Sequence, residues 1–443
     1  MIAAAERVAV RFHPASAPDY LPAPQMRDLQ LDRLQATVRR AFDNVGLFQE
    51  RMKARGLRPE DVRSLDDLAQ LPFTFKSDLR DTYPYGLFAV PLEEIVRLHA
   101  SSGTTGKPIV VAYTRDDLAV WTSVMVRALA SFGITRGDIF QNAHGYGLFT
   151  GGLGFHYGAE AIGATVVPAS GGNTDRQVML MKDFKVTAMC GTPSYLLHLF
   201  ERAAEMGVDV RALPLRASGC GAEPWTESMR QRIETAGGIK AYDCYGLSEI
   251  TGPGVAAECR FQCGLHVFED HFYPEIIDPE TGLNVPDGAE GELVVTTLSK
   301  QAMPMIRYRT RDITALVTGP CQCGRMLRRI RRIGRRSDDM LIVRGVNIFP
   351  SQIEAALLAV EGTLPHYQLI LTRDKGLDQM EVQVEVTPEV FSDRIRALVK
   401  LNEKLTGEME RTLGLRVTVS LVEPHSIQRS EGKARRVIDR RVD

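Results

Sequence analysis

From about residue 96, short β-rich runs alternate with amphipathic helical segments, and this alternation constrains the fold more than any other feature. "VTAMCGTP" precedes "SYLLHLFERAAEMG", where Thr192 suits an N-cap and Pro193 suits the first turn, whose amide needs no partner. "LRASGCGAEP" leads into another helix, and "IKAYDCYGLSE" ends on a loop. Strands alternating with helices imply βαβ units around a largely parallel sheet. Such sheets bind ligands beyond the carboxyl ends of their strands. The loops "CGTPS", "GCGAEPW" and "YGLSE" all follow strand-like runs, so one crevice can hold all three.

The flanking segments differ. Residues 26 to 56 carry apolar positions at helical spacing and read as one helix or two. Residues 287 to 317 are turn-punctuated and antiparallel in flavour. The basic run "RMLRRIRRIGRRSDD" interleaves arginines with Leu327, Ile330 and Ile333, so it reads as a boundary strand or short helix with solvated or ligand-facing arginines. From 340 onward the pattern is that of a small α+β domain. A chain of 443 residues exceeds what one core usually supports. The expected class is therefore α/β: a large multi-sheet N-terminal domain with βαβ units, residues 1–337, and a small α+β C-terminal domain, residues 338–443. A formal charge of −1 gives no general field for nucleic acid or an anionic membrane. No long uncharged apolar run occurs, and "MIAAAERVAVRFHP" lacks a signal-peptide pattern, so a soluble cytoplasmic protein is expected.

"SSGTTGKPIV", residues 101 to 110, invites a Walker P-loop reading, which fails on spacing. Ser101 stands where the first glycine belongs, and Pro108 where the magnesium-binding hydroxyl belongs. Its flanks "IVRLHAS" and "IVVAYT" are strand-like, which makes this strand–loop–strand. Such a loop can still hold an anion. Gly103 and Gly106 let amides point into one concavity, Ser101, Ser102, Thr104 and Thr105 add hydroxyls, and Lys107 adds charge. A polar hairpin without a ligand is the plain alternative.

The stretches "SSGTTGKP", "YGLSE", "YRTRD", "RRSDDMLIVRGVNIFPSQIE" and "RSEGKARR" occur in one order. That order resembles the adenylate-forming superfamily. "NAHGYGLFTGGLGFHYGAE", "LPFTFKSDLRDTYP" and "HFYPEIIDPETG" look like its phenylacetate–coenzyme A ligase branch. The resemblance implies a mobile C-terminal domain and two steps: a carboxylate attacks the ATP α-phosphate, then coenzyme A displaces AMP. It also implies the roles. The 101–108 loop is similar to the family's β/γ-phosphate loop, with Lys107 supplying charge. Glu249 matches a magnesium-ligating glutamate, a hard oxygen donor. Tyr245 with Gly221, Ala222, Glu223 and Pro224 looks like the adenine slot, Asp243 is a candidate acceptor for the adenine amino group, and Gly246 and Ser248 complete that motif. Asp312 matches the aspartate that takes both ribose hydroxyls. Arg336 matches the arginine near ribose and α-phosphate, Asp338 the hinge, and Lys433 the lysine that bridges substrate carboxylate and α-phosphate. As bare residues, Glu249, Asp312 and Lys433 would be ordinary solvated charges, Asp243 and Tyr245 packing, and Asp338 a cap.

Two departures stand out. Arg311 precedes the ribose aspartate where the superfamily usually has glycine, and Arg335 precedes Arg336 with Gly334 displaced by one. Seven cysteines, an odd number, argue against a disulfide framework. "ECRFQCGLH" and "CQCGR" gather Cys259, Cys263, His266, Cys321 and Cys323, a set suited to structural zinc or to free buried thiols. The resemblance puts the ligands at Cys259, His266, Cys321 and Cys323. His144, Phe149 and Phe155 are expected in the acid pocket, with Phe149 stacking on an aryl ring and His144 bonding a ring hydroxyl or amine, or simply packing. The expected partners are an aryl acid, ATP, Mg2+ and coenzyme A, in a homodimer as is usual for the branch. A carrier protein or amine as acceptor, or a non-catalytic nucleotide-binding relative, are the competing readings.

Overall fold

The computed structural model describes residues 13–100, 108–337, 341–344, 346–374, 377–387, 390, 395–429 and 436–441. Ser101 to Lys107, Asp338 and Lys433 lie outside the described residues. The first expected helical segment is two helices, Ala23–Asn44 and Gly46–Ala54, the first burying Leu34, Val38 and Ala41 at helical spacing.

The large lobe is built on a nine-stranded sheet. Its parallel half runs Lys240–Leu247, Ala217–Cys220, Ala188–Gly191, Ile139–Asn142, Thr165–Val167. Thr192 caps the helix Pro193–Glu205 by accepting from the Tyr195 amide, and Pro193 opens it. The other half corrects the expectation of a largely parallel sheet. After Leu247 the chain turns directly into Gly252–Glu258, which pairs antiparallel, followed by Leu265–Val267, Arg329–Ile330 and Leu316–Val317, all antiparallel. A tight return needs no crossover helix, so no βαβ unit forms there. A separate four-stranded sheet orders Phe272–Ile277, Gly291–Thr297, Tyr308–Thr314 and Arg335–Arg336, antiparallel throughout. The strands Arg97–Ala100 and Val110–Tyr113 pair antiparallel on either side of the 101–107 segment.

The arginine run also needs correcting. Its side chains mostly meet large-lobe carboxylates: Arg325 with Asp19 (2.9 Å), Arg328 with Glu269, Arg332 with Glu227 (3.0 Å), Arg335 with Glu290 (2.8 Å), Arg336 with Asp312 (2.9 Å). Arg329 instead donates to the carbonyls of Cys263 and Gly319. The run is stitching within the large lobe, because those carboxylates come from segments far away in sequence.

The small lobe has its own core. The hairpin Leu341–Val343 with Val346–Ile348 leads to the helix Pro350–Leu358. A sheet ordered Thr418–Val422, Leu377–Val386, Thr363–Asp374, Val437–Asp439 is backed by the helix Ile395–Leu413. Leu369, Val382, Leu405 and Met409 are buried among one another there. Among the described residues no helix is long and apolar enough to cross a membrane.

Candidate active site

Three loops leave the carboxyl ends of adjacent parallel strands and meet. The Ser194 amide donates to Glu223 Oε1 at 2.7 Å, tying "CGTPS" to "GAEP". Two glycines there leave no room for a side chain. A Cβ on Gly221 would lie 2.5 Å from the Cys244 carbonyl oxygen, and one on Gly246 only 1.9 Å from that of Gly252. Backbone packing thus fixes the "YGLSE" turn, and Ser248 Oγ rests 3.0 Å from Thr150 Oγ1.

Asp312 arrives from the antiparallel sheet. Tyr245 donates its hydroxyl to Asp312 Oδ2 at 2.6 Å, and Arg336 Nη1 donates to Oδ1 at 2.9 Å. Burial and the Asp312 charge push the Tyr245 hydroxyl far up, so it remains a donor. The strand register sets Asp312 opposite Arg336. Arg311 has φ +67°, the left-handed region that favours glycine. Glu292, fully buried, accepts from its amide at 3.1 Å. An arginine therefore keeps a backbone shape that glycine would take freely.

Glu249 is buried. Lys76 Nζ stands 3.7 Å from its Oε1, and Lys300 Nζ donates to its carbonyl oxygen at 3.1 Å. Lys300 also lies 5.0 Å from the Tyr113 ring centre, and burial pushes its pKa down to about 8. The sequence reading missed both lysines. The available signal was a lysine in "LPFTFKSDLR", which served only as a branch marker.

Asp243 faces inward. Its amide donates to Glu258 Oε2 at 2.8 Å, and Arg332 Nε stands 3.6 Å from its Oδ2. Burial, then the Glu258 charge, pushes its carboxyl up to about 8. On the acid-pocket side, the His144 amide donates to Asn142 Oδ1 at 3.1 Å, and its ring stacks on Phe155 at 5.3 Å. Burial alone lowers the imidazole to about 4, and Nε2 has no hydrogen-bond partner among the described residues. Phe155, only 1% exposed, lies in the core between His144 and Phe140. Phe149 is 39% exposed.

Away from the crevice, one donor atom from each of Cys259, His266, Cys321 and Cys323 lies within 4.8 Å of all the others, and all four residues are buried. The Cys259–Cys321 sulfurs are 3.6 Å apart, and Cys323 Sγ is 3.4 Å from His266 Nε2. A tetrahedral zinc with bonds of about 2.3 Å to sulfur has edges of about 3.8 Å, so the set fits that ion. The hydrogen bond from Cys259, with His266 behind it, holds Cys323 far below the usual thiol range. Cys263, exposed, has its sulfur 3.4 Å from that of Cys321.

The sequence matches the AMP-binding enzyme family over residues 41–303 and the AMP-binding enzyme C-terminal domain over 345–441. The chain belongs to the AMP-binding enzyme family. Phenylacetate–coenzyme A ligase from Pseudomonas putida is 50% identical over 420 residues, covering 94% of each chain. The enzyme of that name from Aromatoleum evansii is 49% identical, covering 94% of this chain and 95% of its own. Among AMP-binding enzymes of known structure, 2-hydroxyisobutyryl-CoA ligase in its postadenylation state superposes with TM-score 0.90 at 30% identity, covering 97% of this chain and 94% of that one. In its thioesterification state the TM-score is 0.71.

Proposed function

We propose that this enzyme activates an aryl or arylacetic acid, phenylacetate or a ring-substituted relative, and passes it to coenzyme A. The chain is an AMP-forming acid–thiol ligase. A carboxylate oxygen attacks the α-phosphorus of ATP and the bond to pyrophosphate breaks. The coenzyme A sulfur then attacks the acyl carbon, and AMP leaves with the electron pair. The first step brings an anion onto a polyanion, so it needs charge neutralisation and positioning more than proton transfer.

The observation that carries this reading is the junction of Tyr245, Asp312 and Arg336 beside Glu249, Lys76 and Lys300. We assign the ribose hydroxyls to Asp312, oriented by Tyr245 and Arg336, and the adenine to the backbone of 221–224, with Asp243 behind it as an acceptor for the adenine amino group. Glu249 is the residue to hold magnesium, which when bound screens the phosphate oxygens. Lys76 supplies charge to that side, as do Lys107 and the 101–106 loop by resemblance. Lys433 bridges the acid and the α-phosphate, with Asp338 as the hinge. Phe149 meets the aryl ring, His144 offers Nε2 to a ring substituent, and Phe155 shapes the pocket from one layer behind. The four-donor cluster holds a structural zinc that takes no part in the chemistry. By the same resemblance the enzyme is a cytoplasmic homodimer, a state that sedimentation tests.

Lys433→Ala tests the assignment across a panel of aryl acids. Acid-dependent pyrophosphate release should fall by about 100-fold or more, as when a transition-state donor is removed, while thioester formation from supplied acyl-adenylate survives. Two unaffected half-reactions would remove this lysine from the mechanism.

A further inference from the structure

The two lobes meet along a seam that several acidic side chains cross, and Glu354 is the most buried of those described. Glu354, on the small-lobe helix Pro350–Leu358, is only 6% exposed. It accepts from Thr226 Oγ1 at 3.1 Å. Thr226 caps the large-lobe helix Glu227–Gly237, so the carboxylate sits at that helix's amino end, where negative charge is favoured. Arg436 Nη2 stands 3.6 Å from the other carboxylate oxygen, and its guanidinium lies over Tyr367. Glu354 also lines a cavity of about 430 Å³ together with Glu223, Pro224 and Arg336, all assigned above to the nucleotide. Further along the seam, His366 Nε2 lies 2.8 Å from Glu201 Oε2, and Arg232 donates to the Thr363 carbonyl at 3.1 Å.

A buried carboxylate is tolerable only while its partners are in place. Arg436 is in the small lobe and stays with Glu354, but Thr226 and its helix belong to the other lobe, so that share of the compensation exists in one lobe arrangement and ends when the lobes turn. That arrangement superposes better on the postadenylation structure of 2-hydroxyisobutyryl-CoA ligase, at TM-score 0.90, than on the thioesterification one, at 0.71. We propose that Glu354 is a positioning residue for the first half-reaction: it holds the small lobe against the Thr226 helix and the 221–224 loop, and it is released before coenzyme A is used. His366 steadies the same docking from the far end of the seam. The inference rests on the ligase reading given above.

The test separates the half-reactions in the full-length enzyme. Glu354→Ala should lower acid-dependent pyrophosphate release about tenfold, the scale of one lost charge-assisted hydrogen bond. Thioester formation from supplied acyl-adenylate should change less than about twofold. Glu354→Gln, which keeps an acceptor for Thr226, should recover part of the loss. His366→Ala should give the same split in weaker form, and decides the matter if Glu354→Ala folds poorly. Small-angle scattering with ATP bound should show a more open average shape for Glu354→Ala than for wild type. Equal losses in both half-reactions, no loss in either, or unchanged scattering would overturn the proposal. A wild type that releases pyrophosphate with no aryl acid would instead sink the ligase reading, while scattering would still judge the latch.

Discussion

Arg127 and Glu249 are both buried charges of the large lobe, yet they are handled in opposite ways. Arg127 donates through Nε to Asp19 (2.8 Å) and through Nη1 and Nη2 to Asp270 (3.0 and 2.9 Å), with the Phe268 ring beneath it. Arg230 with Glu258 and Arg307 with Glu275 repeat this two-pronged closure. Glu249 has a lysine at 3.7 Å and the Tyr308 hydroxyl beside its carboxylate, with no two-pronged guanidinium among the described residues, and the nearer Lys300 bonds its backbone instead. Scaffold charges are closed by their own partners. At the crevice the Glu249 carboxylate is held more loosely than these pairs, which suits a group that a polyanion and its metal would complete. Preorganisation of this kind is destabilising locally and is offset by the closed pairs elsewhere.

The largest effect should come from opening a closed pair. Arg127→Met removes the buried guanidinium that Asp19 and Asp270 share and leaves them to Arg325 and to the more distant Arg33, and unfolding free energy should fall by about 3–5 kcal/mol. Lys76→Met, whose side chain is 42% exposed, should change stability by about 1 kcal/mol or less and appear in turnover instead. Denaturant unfolding of the two variants beside their turnover checks both halves. Equal stability losses would erase the distinction between scaffold and crevice.

The four-donor cluster extends the comparison, since a metal would close it from within. Wild type prepared without chelator should carry about one zinc per chain, and Cys321→Ser should lose it. A metal held at a hundred times its dissociation constant contributes about 2.7 kcal/mol. Chelation should therefore lower the unfolding free energy of wild type by about that much and leave Cys321→Ser unmoved. Metal analysis and melting with and without chelator read this directly. A metal-free wild type of unchanged stability would make the cluster three packed thiols and an imidazole.

Much of this was legible where function is written into local pattern. The two strands that flank 101–107, the Thr192–Pro193 helix start and the meeting of the "CGTPS" and "GAEP" loops follow from turn chemistry and periodicity. Groups that gain meaning only through distant partners were not legible. Lys76 follows Phe75 at the start of a short helix, and nothing local says that the fold will carry it to Glu249. The arginines of 325–336 read as surface because their carboxylates, Asp19, Glu269 and Glu227, come from three remote segments. Phe155 sits in a pocket-like motif, but its helix turns it into the core. Periodicity reports that a face is apolar, not what covers it.

The smallest expected effect concerns two buried histidines. In the scaffold, His271 has Nε2 3.0 Å from Asp270 and Nδ1 2.7 Å from Ser299 Oγ. In the crevice, His144 Nε2 has no partner among the described residues, and burial holds its pKa at about 4. Its folded value lies below that of an unfolded histidine, about 6.5, so the unfolded chain binds the extra proton first as pH falls. The stability tied to neutral His144 is thus complete above pH 6.5 and declines on the way down to pH 4. At pH 5 the loss should be about 2 kcal/mol. His144→Phe, which keeps a ring against Phe155, removes the proton site while leaving every other titrating group in place. Unfolding free energies at pH 7 and pH 5 should therefore diverge, with wild type losing that amount relative to the variant. Parallel behaviour would mean the imidazole titrates normally, which requires a partner at Nε2 and would make His144 a closed group like His271. An aryl acid bearing a hydroxyl should then gain nothing from it in KM over the unsubstituted acid, whereas an open Nε2 should favour the hydroxylated acid.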